Sequence, residues 1–332
     1  MKHTSWYIGV DGGGSKTQVF LMNLQQRVGI TKIGKASNPN TVKWDTAMET
    51  IEQLIGSTLV AVDAGAEEVR GISVCLAGLY RKDHIEQLKK KMFSIYPNAE
   101  IEVANDALAA LTAGTHGESG VVLIAGTGSV CLGETQHGQI ARAGGYGSMI
   151  SDEGSGYDIG RAGIMAAIQG AEFRGINTIL WELTREFFHI DQIHGIIPAI
   201  YGVPNSIEMI ASFAPVVMES APYDAVADQI VLNAVNQHVR LIQSVYLQLN
   251  DKIENTIVLS GSLFTKTNQL VGLLQPQLPD LNFRVLTISA AAGAVLRAVL
   301  HEQKIRLNKQ YSHSEIIHTW SQIAKKVTLI DS

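Results

Sequence analysis

Apolar and polar positions follow two rhythms along this chain. Tyr7-Ile-Gly-Val-Asp11 and Gln18-Val-Phe-Leu-Met22 are short apolar runs either side of Gly12-Gly-Gly-Ser-Lys-Thr17. That is the pattern of two strands joined as a hairpin with a glycine-rich tip. A polar stretch with Gly34, Ser37, Asn38, Pro39 and Asn40 reads as a loop. From Trp44 to about Leu59 the rhythm changes, and Ala47, Ile51, Leu54 and Ile55 recur at helical spacing. Gly71 to Leu76 predicts a strand ending at Ala77-Gly78, and Asp83 to Ile95 an amphipathic helix stopped before Pro97. Ala99 to Val103 predicts a strand, and Asp106 to Ala113 a helix ended by Gly114.

The opening pattern then returns. Val121-Val-Leu-Ile-Ala125, the turn Gly126-Thr-Gly-Ser129 and the run Val130-Cys-Leu-Gly133 repeat strand, glycine turn and strand. The repeat is one of pattern more than identity, and it predicts two similar α/β halves. Beyond Gly154 the chain turns helical, most clearly from Tyr223 to Asn250, where Val231, Val235, Val239, Ile242, Tyr246 and Leu249 form one face. Thr256 to Ser260 and Phe283 to Leu286 read as strands. Ala290 to His301 reads as a small-residue helix, and Ser314 to Val327 as a last helix.

A length of 332 residues suits two domains. The expected division is a first lobe over 1–114, with the tail from about 303 to 332 packing back on it, and a second lobe over 115–302. A hydrophobic content of 46% excludes disorder. The net charge of −5 argues against a protein that coats nucleic acid or an anionic membrane. Cys75 and Cys131 each sit in an apolar run with no CxxC spacing, so they read as buried reduced thiols. The start of the chain lacks a signal-peptide core, and no apolar run reaches the roughly 18 residues needed to span a bilayer. The expectation is a soluble, cytoplasmic protein.

Glycine turns at strand ends let a ligand approach main-chain N–H groups, and successive N–H groups make an anion-binding nest. Ser15, Thr17, Thr127 and Ser129 add hydroxyl donors. One such turn merely closes a hairpin; two in equivalent places point to phosphate. The usual phosphate motifs are missing. The nearest approach to a P-loop, Gly29 to Gly34-Lys35-Ala36, lacks the final hydroxyl, and a returning strand follows Gly12-Gly-Gly where a dinucleotide fold needs a helix. No HExxH pair and no GxSxG elbow occur.

Three carboxylates stand beside these turns. Asp11 ends the first strand, where it would either serve a Mg2+ ion, directly or through water, or bond its own turn. Asp106 opens a helix, where it would be an ionised functional carboxylate or a plain N-cap. Asp152, in Ser151-Asp-Glu-Gly-Ser-Gly156, is suited to accept hydrogen bonds from hydroxyls.

Taken together, Val10 to Thr17, Asn105-Asp106, Ala125 to Ser129, Gly144 to Gly147, Ser151 to Gly156 and Leu259-Ser-Gly-Ser262 resemble the BadF/BadG/BcrA/BcrD ATPase family. That family lies in the sugar kinase, Hsp70 and actin superfamily, and the pattern is nearest to its N-acetylglucosamine kinases. The resemblance implies an α/β fold of two actin-like (ribonuclease H-like) lobes, with a nucleotide and sugar cleft between them. It implies ATP and Mg2+, and transfer of phosphate to the 6-hydroxyl of an amino sugar. Asp106 matches the catalytic base. Gly12, Gly13, Gly14, Ser15, Lys16 and Thr17 match the first phosphate loop, with Asp11 at the metal. Gly126, Thr127, Gly128 and Ser129 match the second phosphate loop, and Gly261 and Ser262 the adenosine segment. Asn38, Gly145, Tyr146 and Asp152 match sugar-binding positions, together with Asp106. A homodimer is also implied.

Two departures bear on the sugar. Tyr146 stands where the family often has Trp, and Leu76-Ala-Gly-Leu79 replaces a more hydroxyl-rich stretch. N-acetylglucosamine, glucosamine and N-acetylmuramic acid all fit. Two rivals stand beside a kinase. One is an ATPase activator of a 2-hydroxyacyl-CoA dehydratase, which needs iron–sulfur cysteines that this chain does not offer. The other is a sugar sensor without transfer activity.

Overall fold

The computed structural model describes residues 5–249, 253–306 and 311–330. Asn250, the expected end of the long helix, lies outside them. Among the described residues the strands are β1 (Trp6–Gly12), β2 (Thr17–Asn23), β3 (Val28–Gly34), β4 (Val69–Leu76), β5 (Glu100–Asn105), β6 (Gly120–Ala125), β7 (Ser129–Glu134), β8 (Ile140–Gly144), β9 (Thr256–Ser260), β10 (Asn282–Val285) and β11 (Thr328–Leu329). The longer helices are α1 (Trp44–Val60), α2 (Lys82–Ile95), α3 (Asp106–Thr115), α4 (Gly156–Ala171), α5 (Ala225–Gln248), α6 (Ala290–Arg306) and α7 (His313–Lys325). None of the helices searched is long and apolar enough to cross a membrane.

The chain divides into two compact units, one running to Glu118 and resuming at Leu286, the other from Ser119 to Val285. The first holds a sheet of order β11-β3-β2-β1-β4-β5, the second a sheet of order β10-β9-β6-β7-β8. Each begins with an antiparallel three-strand meander and adds two parallel strands beside its first strand. The repeated hairpin is thus a repeated topology.

In the first unit the sheet is covered on both faces, so β1 is buried and free of charged side chains from Trp6 to Val10 instead of alternating. Ile8 and Val10 pack with Ile51, Ile55 and Leu88, whereas Tyr7 faces Val295, Val299 and Trp320. The small residues of α6 let it sit almost on the strand backbone. A Cβ on Gly9 would lie 2.1 Å from the Val295 nitrogen, and one on Gly293 would lie 1.9 Å from the Ala109 oxygen of α3. These close approaches place α6 in the first unit, which corrects the expected boundary near 303 to Leu286.

Other differences are local. β3 and β8 fall where no strand is expected. The sequence Ile140-Ala-Arg-Ala-Gly144 has weak strand propensity, and β8 forms as a sheet edge on β7. Helix α3 passes Gly114 and ends at Thr115, because His116 takes the left-handed conformation at φ 59°. Helix α5 starts at Ala225, because the Asp224 carboxylate accepts from the Val226 and Ala227 N–H groups and caps it.

Candidate active site

In the first unit, register brings three strand ends level. Gly12 of β1 pairs with Leu76 of β4, and Leu76 with Asn105 of β5. Asp11, the glycine turn and Asp106 therefore share one sheet edge, beyond the carboxyl ends of parallel strands, where such sheets bind ligands. The Gly13 N–H donates to the Lys16 carbonyl (2.9 Å) and closes the tip, leaving Gly14, Ser15 and Lys16 exposed.

Asn105, not Asp106, caps α3. Its Oδ1 accepts from the Ala107 N–H (3.0 Å), so Asn105 is the N-cap, and Asp106 is the first helical residue. Capping therefore does not require the Asp106 carboxylate, and the helix dipole favours its ionised form. Asp11 senses it. Burial, then the charge of Asp106, pushes the Asp11 carboxyl up to about 7, with Lys16 opposing. Two carboxylates set against each other beside a lysine suit a bound cation with phosphate. Among the described residues no cluster of three or more metal-ligating His, Cys, Asp or Glu occurs. A magnesium ion here would therefore be carried largely by phosphate and water, with Asp11 beside it.

Asn38 lies against this turn. The Gly13 carbonyl accepts from the Ser37 and Asn38 N–H groups (both 3.2 Å). Asn38 Oδ1 accepts from the Asn40 N–H (2.9 Å), and its Nδ2 lies 3.9 Å from where a Cβ on Gly14 would stand. A Cβ on Gly78 would meet Asn38 Oδ1 at 2.2 Å, which sets the loop after β4 beside it.

In the second unit, Leu123 and Ile124 of β6 pair with Leu259 and Ser260 of β9. Gly261 then stands against Ala125 with φ +93°, and a Cβ there would lie 2.2 Å from the Ala125 oxygen. That positive φ and close approach require glycine. Ser262 follows, exposed, beside Gly126. The loop carrying Asp152 is hydrogen-bonded to the second glycine turn. The Gly156 N–H donates to the Gly126 carbonyl (2.7 Å) and the Tyr157 N–H to the Thr127 carbonyl (3.2 Å). Asp152 itself sits at φ 66°, a conformation rare outside glycine that clusters at functional sites. Burial pushes its carboxyl up, while the Ser129 and Gly147 N–H groups that it accepts from oppose the rise. The Gly145 carbonyl accepts from Arg142, whose guanidinium lies 5.3 Å from the exposed Tyr146 ring centre.

Two expected phosphate donors have other partners. Thr17 is fully buried, and its Oγ1 donates to the Lys35 carbonyl (2.6 Å) and contacts Ser37 Oγ (2.7 Å). Ser129 is buried, and its Oγ donates to the Glu153 carbonyl (2.8 Å). Ser15 and Thr127 remain exposed on the tips.

Three contributors escape the sequence reading. Ser37 and His238 sit where no motif marks them; His238 Nε2 donates to the Gly154 carbonyl (2.8 Å). The third is an ion pair beneath the edge of the first sheet, where Arg297 of α6 bonds Glu102 of β5 (2.6 Å) and Ser73 donates to the same carboxylate (2.7 Å). Burial pushes the Glu102 carboxyl up, but Arg297 and Ser73 outweigh it and hold it below its usual range. Only an acid and a base far apart in sequence could have hinted at this pair. Cys75 and Cys131 are both buried with thiols pushed up by that burial, which leaves no exposed thiolate for a cluster.

The family model of the BadF/BadG/BcrA/BcrD ATPase family matches residues 8–298. The chain belongs to that family, and membership carries ATP use with it. Among its relatives, an N-acetylmuramic acid/N-acetylglucosamine kinase of Clostridium acetobutylicum is 30% identical over 301 residues, covering 88% of this chain and 98% of that one. An N-acetyl-D-glucosamine kinase of Dictyostelium discoideum is 28% identical, covering 88% and 97%. The structure of a candidate N-acetylglucosamine kinase from Chromobacterium violaceum superposes with a TM-score of 0.69 at 22% identity, covering 89% and 99%, and shows the shared actin-like fold.

Proposed function

We propose that this chain is an ATP-dependent kinase that transfers the terminal phosphate of ATP to the 6-hydroxyl of an amino sugar, N-acetylglucosamine foremost. The observation that carries this reading is the division of labour at the start of α3. Asn105 caps the helix, and Asp106 is half-buried beside the glycine turn on the same sheet edge. Family membership and the amino-sugar kinases among the relatives support the same reading.

Phosphoryl transfer asks the protein mainly for position and charge. The tips at Gly12 to Lys16 and Gly126 to Gly128 offer N–H groups to the phosphates, and Lys16 adds a cation. Gly261 and Ser262 border the adenosine. Asn38, Gly145, Tyr146 and Asp152 hold the sugar, Asp152 as acceptor and the Asn38 amide as donor. Asp106 accepts the hydrogen bond of the 6-hydroxyl, aims its oxygen at the phosphorus, and takes its proton as the new O–P bond forms and the bond from that phosphorus to ADP, the leaving group, breaks. Mg2+, beside Asp11, would neutralise charge on the phosphates.

The test is ADP release coupled to a dehydrogenase, measured with N-acetylglucosamine, N-acetylmuramic acid, glucosamine and glucose, with the product analysed by phosphorus NMR. Release that needs an amino sugar and yields its 6-phosphate is expected. Sugar-independent release would establish an ATPase activator instead, and binding without release a sensor.

A further inference from the structure

The two buried hydroxyls at the turn exits occupy equivalent places. Thr17 is the first residue of β2 and pairs with Gly12, the last of β1. Ser129 is the first residue of β7 and pairs with Ala125, the last of β6. Each hydroxyl donates to a backbone carbonyl in the loop that carries a sugar residue: Thr17 to Lys35, three residues before Asn38, and Ser129 to Glu153, next to Asp152. Each link is doubled by backbone bonds between the same two loops. Ser37 and Asn38 N–H groups reach the Gly13 carbonyl in the first unit, and Gly156 and Tyr157 N–H groups reach Gly126 and Thr127 in the second. The Ser37 hydroxyl also packs under the first turn, where a Cβ on Gly12 would lie 2.3 Å from it.

A hydroxyl has one proton to give, and each of these has given it to a carbonyl inside the protein. Neither is then a phosphate donor. We infer that Thr17 and Ser129 are positioning residues that latch each phosphate turn to a sugar-binding loop, so that nucleotide and sugar bind cooperatively. The inference rests on the kinase reading above. Ordering a turn around phosphate fixes the carbonyl-bearing loop through the latch, and the sugar then meets a loop that is already ordered. Such coupling is reciprocal, so the sugar tightens the nucleotide by the same factor.

The experiment is calorimetry on the full chain. A non-hydrolysable ATP analogue with magnesium is titrated alone and at saturating N-acetylglucosamine, and the sugar is titrated alone and with the analogue. The wild type should show coupling of about tenfold, within the usual 5–150-fold range. Thr17→Val and Ser129→Ala should each lower that factor to about threefold, because the other latch remains, and the double variant should bring it close to one, while each ligand alone binds within about threefold of wild type, because no ligand contact is lost. Thr17→Ser, which keeps the hydroxyl, should restore coupling. Wild-type coupling in both variants would overturn the latch, and so would weaker binding of both ligands at an unchanged coupling factor. If Thr17→Val fails to fold by circular dichroism, Ser129→Ala decides the matter alone. A wild type that binds both ligands without coupling overturns the latch and spares the kinase reading. A wild type that binds neither ligand overturns both.

Discussion

Replacing His238 by Gln should abolish a specific acid sensitivity of the second unit. His238 lies on α5 with no solvent exposure, its ring 5.4 Å from that of Phe264. Its Nε2 gives its proton to the Gly154 carbonyl, and Nδ1 has no hydrogen-bond partner. A second proton would have to sit on Nδ1 in an apolar setting. Burial therefore holds the imidazole down from its usual 6.5 to about 4, against the pull of the Gly154 carbonyl. The native state refuses a proton that the unfolded chain accepts below 6.5. Stability from this group is thus complete above pH 6.5 and is lost as pH falls toward 4.

The full loss corresponds to about 3 kcal/mol, and about 2 kcal/mol of it is lost by pH 5. For a domain of this size each kcal/mol moves the melting temperature by roughly 2–4 °C. Urea and thermal unfolding of wild type and His238→Gln, each at pH 7.5 and pH 5.0, isolate the effect, because the carboxylates contribute equally to both proteins. Gln retains a donor for the Gly154 carbonyl but does not titrate. Wild type should lose about 2 kcal/mol more than the variant between the two pH values. Parallel losses would refute the assignment of a neutral, proton-refusing His238.

Further outcomes are expected in the first unit. Asp106→Asn should lower kcat by about 10²–10⁴ while calorimetry finds nucleotide and sugar still bound, and near-wild-type turnover would remove Asp106 as the base. Arg297→Met leaves the Glu102 carboxylate buried without its main partner and should cost about 3–5 kcal/mol in urea unfolding, most of it recovered by adding Glu102→Gln. A cost under about 1 kcal/mol would mean the pair is solvated in solution. Gly293→Ala drives a methyl to 1.9 Å from the Ala109 carbonyl, so α6 and α3 must separate. A loss of about 1–3 kcal/mol by thermal unfolding should result, and an unchanged melting temperature would refute the close packing.

The strands and helices that proved legible are those whose signal is local. The hairpins at Gly12 and Gly126 announce themselves by apolar runs broken by glycine, and α1 by its 3.6-residue period. What stayed hidden depends on partners far away in the chain. The composition of α6 shows that something must approach it closely, but only the backbones of β1 and α3 reveal what. Gly9 and Gly71 on two neighbouring strands were the available hint, since small residues there fit a small-residue helix. Edge strands such as β8 carry little propensity because they have only one neighbour to satisfy.

The site divides along the same line. That a carboxylate near position 106 opens a helix was readable; whether Asn105 or Asp106 would cap it was not, because both side chains are good caps and the choice rests on one residue of register. The turn hydroxyls make the point most sharply. Thr17 and Ser129 look like phosphate donors because they end glycine turns, yet each hydroxyl belongs to a buried residue at the first position of a returning strand, opposite Gly12 or Ala125. Its proton then goes to whichever carbonyl returns to that spot, and Lys35 and Glu153 lie 18 and 24 residues away. Residue type and spacing can locate a glycine turn in such a chain, but the use made of each donor is decided by long-range return of the backbone. Under the proposed kinase reading, the exposed tip residues Ser15 and Thr127 are the hydroxyls free to meet a nucleotide, and the buried pair ties each glycine turn to the loop beside it.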